Sequence, residues 1–241
     1  MAGEIAVGAI VLVGASVQRL AGIGFALVCV PALVLLLGAD EGVALCNLGA
    51  AAISAVGLAQ GGAWREIRPQ AMLPLLAAAA CTVPVGAWVA HALPEPQLLT
   101  VIGVLVTVAV TAVIRGARIP ALSGRGGAVA AGAASGFMNS SSGVGGPALS
   151  LYAVNAGWTV REFVPNAQLY GVAVNGLSIA AKGTPGLTRP GWLLVAAALA
   201  GGAVIGAVLA DRIPERRARG VVLGLALLGG VTILGKGVWG W

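Results

Sequence analysis

Long runs without charge leave this chain very few ways to fold. Residues 42–63, 69–90, 96–114, 163–181, 190–210 and 220–235 contain no Asp, Glu, Lys or Arg. Most of these runs match the roughly 17–25 residues that a helix needs to cross a bilayer. The last is short and is expected to start inside the arginine cluster before it. In all, 59% of the 241 residues are apolar and 9% are charged. A water-soluble domain of that size covers its exterior with far more charge. The residue-by-residue alternation of a membrane β-barrel is missing as well. The pattern predicts an all-α polytopic membrane protein, multi-pass in the cell (inner) membrane with the lipid bilayer as its surroundings.

Two further stretches, 5–39 and 126–160, are each 35 residues long and hold a single charge between them, Arg19. Glycines cut both: Gly22 and Gly24 in the first, Gly143, Gly145 and Gly146 in the second. As one helix, 35 residues would measure about 52 Å at roughly 1.5 Å per residue. The hydrocarbon core is only about 30 Å thick. Two truncated helices meeting at the glycines are therefore expected, either as a re-entrant hairpin or as a pair of short spans. A glycine-broken apolar segment that recurs in two halves points to a transporter binding site.

The recurrence runs along the whole chain. Gly22 maps onto Gly143, Gly24 onto Gly145, Asn47 onto Gln168 and Pro69 onto Pro190, all 121 residues apart. Two homologous repeats, 1–120 and 121–241, are expected in one integral membrane domain. Each would hold a broken helix pair followed by three transmembrane helices. If each pair returns to its starting side, the repeats are inverted. Ten basic residues, from Arg65 through Arg118 to Arg219, then share one side, and Lys182, Arg189 and Lys236 the other, with Arg19 uncounted. Parallel repeats would split them eight to five. The positive-inside rule favours the inverted arrangement, with both termini extracytoplasmic.

Gly22-x-Gly24 leading to Pro31, and Gly143-x-Gly145-Gly146-Pro147, resemble the paired glycine signatures of the TauE/SafE family. The tails Gly86…Pro94-Glu95 and Gly206…Pro214-Glu215 fit its pattern too. The resemblance covers essentially the whole chain and implies duplicated four-transmembrane units that export sulfite or organosulfonates. One departure stands out: Phe25 and Ala26 occupy the place where family members usually carry a third glycine. An asymmetric site is the consequence, with a tighter, more apolar first half.

A helix that restarts after a break presents unpaired N–H groups and partial positive charge, suited to an oxyanion. Gly22, Gly24, Gly143, Gly145 and Gly146 are accordingly expected at the substrate. Asn139, Ser140, Ser141 and Ser142 offer neutral donors, or else bond to carbonyls one turn back. Asn47 and Gln168 are expected to face the bundle interior, as ligand contacts or as helix–helix hydrogen bonds. Arg19 is either a bidentate sulfonate partner or a side chain snorkelling to the interface. No carboxylate or histidine sits mid-span, and no Walker motif, catalytic triad or metal-ligand cluster is present, so neither an enzyme, a metal site nor a cofactor is expected. Basic patches with interleaved aromatics are missing, which sets nucleic acid aside. The reading is a secondary transporter of a small anion, a sulfur oxyanion or organosulfonate, working by alternating access with a possible coupling ion. An anion channel and a non-transporting scaffold subunit are the alternatives.

Overall fold

The computed structural model describes residues 2–22, 24–60, 63–116, 122–210, 212 and 215–240. Arg118 and the side chains of Arg216, Arg217 and Arg219, counted above, lie outside the described residues, as does Pro214. Ten α-helices and no strand occur among the described residues. The first five are α1 (Ala2–Ala21), α2 (Phe25–Leu37), α3 (Ala39–Ala59), α4 (Pro69–Ala92) and α5 (Glu95–Ile114). The second five are α6 (Gly124–Ser142), α7 (Gly146–Asn155), α8 (Val160–Lys182), α9 (Arg189–Ala210) and α10 (Glu215–Trp239). Helices α1, α3, α4, α5 and α9 are long and apolar enough to cross a membrane. The chain is an all-helical, multi-pass membrane protein.

Both breaks fall at the expected glycines, but only the second helix of each pair is truncated. The first leaves a 20-residue α1 and a 13-residue α2, the second a 19-residue α6 and a 10-residue α7. Each long helix is about 30 Å at 1.5 Å per residue, enough for a full crossing. The cause is local. Gly22 has φ 74° and Gly143 φ 76°, backbone that side chains rarely adopt, so each ends its helix without a Cβ clash.

Close contacts fix the direction of every helix. Gly14 of α1 lies against Phe25 and Cys29 of α2, and Cys29 Sγ meets the Ile10 carbonyl at 3.5 Å, so the two run antiparallel. Ser135 Oγ of α6 donates to the Gly145 carbonyl at 2.8 Å, folding α7 back in the same way. At one end of the bundle Thr188 donates to Glu4 (2.8 Å), Gly186 N–H donates to Glu41 (2.9 Å), and Gly240 sits beside Pro96. At the other end Arg68 pairs with Glu162 and Arg161 with Glu66. Both pairs of broken helices therefore return to the end where they began, from opposite ends of the bundle. Each of α1–α5 runs opposite to its counterpart in α6–α10.

The packing partners obey the same exchange. Helix α1 packs on α9 and α6 on α4, while α3 pairs with α8 and α5 with α10. Small residues bring the backbones together. A Cβ on Gly132 or Gly136 of α6 would stand 2.3 and 2.6 Å from the carbonyls of Leu75 and Ala79 on α4. Gly202 and Gly206 of α9 meet Leu12 and Ser16 of α1 at 2.5 Å in the same manner. Gly136→Val is expected to lower stability by about 1–3 kcal/mol through overpacking. Gly126→Val, where a Cβ meets nothing within 4 Å, should leave the detergent melting temperature unchanged.

The arginine-rich end carries one pH-sensitive cap. Thr159 and Glu162 form a reciprocal capping box at the start of α8. The Thr159 backbone N–H, helped by Arg68, holds the exposed Glu162 carboxyl below its ordinary value. Its contribution is full above the unfolded-state value and fades as pH falls through the lowered one. The melting difference between wild type and Glu162→Gln should therefore be present at neutral pH and vanish in acid.

Candidate anion-binding cavity

A cavity of about 90 Å³ lies between the two broken segments, and every residue lining it is uncharged. Gly24, Ala26 and Leu27 contribute the start of α2, while Gly145, Gly146 and Pro147 contribute the start of α7. Two helix N-termini, each with partial positive charge, thus face one neutral space. Gly146 is open: a Cβ there would meet nothing within 4 Å. Val113 of α5 and Leu223 of α10 bound the cavity on the side of the arginine-rich end.

Polar side chains enter from α1, α3, α6 and α8. Asn139 donates to Asn175 Oδ1 at 3.1 Å and to Ser178 Oγ at 3.0 Å. Gln18 donates to Ser54 Oγ at 3.2 Å and accepts from the Phe25 N–H at 3.0 Å. Gln18 and Ser54 stand 121 residues before Asn139 and Asn175, so the two hydrogen-bonded pairs are equivalent. The repeat offset leads from Asn139 to Gln18, which the glycine pattern does not mark. Tyr170 and Ser150, also on the wall, have no comparable sequence signal.

Of the residues expected at the substrate, Gly24, Asn139, Gly145 and Gly146 line the cavity. The structure does not bring the others to its wall. Ser140 Oγ donates to the Val83 carbonyl at 2.8 Å, binding α6 to α4. Ser141 and Ser142 donate to Phe137 (2.8 Å) and Met138 (2.6 Å), one turn back. Such back-bonding occupies the hydroxyl protons that an anion would need. Gly143 is enclosed by Val30, Val43 and Asn47. Arg19, one residue past Gln18, turns towards α9, its Cβ against Gly206 near the arginine-rich end.

Gln168 and Asn47 stand at the breaks rather than on the wall. Gln168 Nε2 donates to the Gly22 carbonyl at 3.1 Å and its Oε1 accepts from Gln18 at 3.4 Å. Asn47 stands at the equivalent Gly143, its Oδ1 3.8 Å from where a Cβ would sit. The Asn47 side chain is fully buried, yet neither its nitrogen nor its oxygen has a hydrogen-bond partner. Lys182, the last residue of α8, donates to the Ser140 carbonyl at 3.0 Å, near the C-terminal end of α6.

The asymmetry predicted from Phe25 is present as an exchange of bulk. Phe25 is buried against Gly49 and Gly14. At the equivalent positions of the second half the small and large residues trade places, as Gly146 and Tyr170. The first half is filled beside its break, and the second is left open there.

The model of the sulfite exporter TauE/SafE family matches residues 6–233. The chain belongs to that family. TauE/SafE proteins are membrane transporters associated with export of sulfite and related sulfur compounds. No curated protein and no solved structure matches the chain.

Proposed function

We propose that this protein is a secondary transporter that carries a small sulfur oxyanion or organosulfonate through the cavity between its two breaks. One observation carries the reading: the N-termini of α2 and α7 converge on a cavity with no charged side chain. An oxyanion is the ligand that such termini favour, because their N–H groups and dipoles are already oriented. A neutral wall also suits release, since the anion faces no opposite full charge that would trap it.

The opposed directions of the two halves support inverted repeats, 1–120 and 121–241, exchanging roles during alternating access. Gln168 closes on Gly22 in this conformation, while Asn47 lies unpaired beside Gly143. In the exchanged conformation Asn47 would bond to the Gly143 region and Gln168 would release Gly22. The arginine-rich end is cytoplasmic on the positive-inside rule, which leaves both termini outside.

Purified protein in detergent should be stabilised by sulfite or ethanesulfonate, by about 2.7 kcal/mol at a hundredfold excess over Kd. Chloride at equal ionic strength should not reproduce the shift. Identical melting curves with every oxyanion would contradict the reading.

A further inference from the structure

We propose that Gln18 is a specificity-determining residue, whose carboxamide oxygen stands in for a second oxyanion at the N-terminus of α2. The proposal rests on the cavity being the anion site. The two helix starts that face it are not alike. At α2 the Phe25 N–H is already occupied by Gln18 Oε1 at 3.0 Å. At α7 the N-cap is Gly145, no side chain caps the helix, and Gly146 stands in open space. Asn139, the counterpart of Gln18, is one methylene shorter and bonds away to Asn175 and Ser178.

A separate feature of the same wall points to a ligand there. Tyr170 is buried and lines the cavity, and its hydroxyl, beside Ser135 of α6, meets no partner at hydrogen-bond geometry. A buried hydroxyl is seldom left unpaired, and an oxyanion at α7 would satisfy it. The cavity therefore takes one anionic head, at α7, with Leu27, Leu149 and Val174 around its apolar body. Gln18 fills the place that a second head would need. Substrates with a single sulfonate or sulfite group and a short apolar remainder fit, and those anionic at both ends are rejected.

Affinities of ethanesulfonate and ethane-1,2-disulfonate, measured by calorimetry on the purified full chain, test this. Wild type should prefer the monosulfonate by roughly tenfold or more, the worth of one charge-assisted hydrogen bond. Gln18→Ala frees the α2 terminus and should shift the affinity ratio towards the disulfonate by a similar factor. A loss of packing alone would weaken both ligands together. An unchanged ratio, with wild type still binding ethanesulfonate, would overturn the role of Gln18 and leave the anion site standing. Wild type binding neither sulfonate would overturn the site and this proposal with it. Should Gln18→Ala fail to fold, Gln18→Glu keeps an acceptor for Phe25 and adds a negative charge. Ethanesulfonate affinity should then fall roughly tenfold or more, and unaltered affinity would count against the proposal.

Discussion

Gly146→Leu is expected to abolish transport while leaving the protein folded. The position is the first residue of α7 and lines the cavity, and a Cβ there would meet no atom within 4 Å. A leucine there projects into the space the anion needs, and it favours a helix slightly more than glycine does. Losing two charge-assisted hydrogen bonds to the α7 terminus, at about 1.5–3 kcal/mol each, corresponds to at least a hundredfold drop in uptake. Expression and melting temperature should match wild type. Neighbouring Gly145 makes a poorer test, because a Cβ there stands 2.6 Å from the Ser135 carbonyl and threatens the fold itself. Wild-type uptake by Gly146→Leu would mean that the anion does not pass through this cavity.

Substitutions at Asn47 and Gln168 should have opposite effects on stability, although the two positions are equivalent in the sequence. Asn47 buries a carboxamide whose nitrogen and oxygen lack partners, a group worth about 1–3 kcal/mol in lost solvation. Asn47→Leu removes both at similar volume and should raise stability by about 1–3 kcal/mol in a detergent melt. Gln168→Leu instead strands the Gly22 carbonyl and one Gln18 hydrogen bond, and should cost about 1–2 kcal/mol. Transport separates the residues from mere fillers. If Asn47 closes the second break in the exchanged conformation, Asn47→Leu is more stable and yet slower. A more stable variant with undiminished turnover would remove Asn47 from the cycle.

The uncharged runs made the helices legible, since a bilayer admits few other structures from such segments. The glycine breaks were legible for a similar reason: only glycine ends a helix at φ near 75° without strain. Helix lengths around the breaks were not, because nothing in a 35-residue apolar stretch says how far the break lies from each end. At the site, residue type alone could not tell Asn139, which reaches the cavity, from Ser140, Ser141 and Ser142, which bond to carbonyls. That depends on which face of α6 meets α4. Gln18 carries no such mark: it is a neutral carboxamide beside Arg19, the one charge of its stretch, yet it lines the wall.

Exchange of labelled sulfite across proteoliposomes separates a carrier working through this cavity from a channel. Uptake should saturate with external sulfite, be accelerated by unlabelled sulfite inside, and disappear in Gly146→Leu. Flux that rises linearly with concentration and ignores the internal anion would instead describe an open channel, and flux indifferent to Gly146→Leu would contradict the cavity as the route.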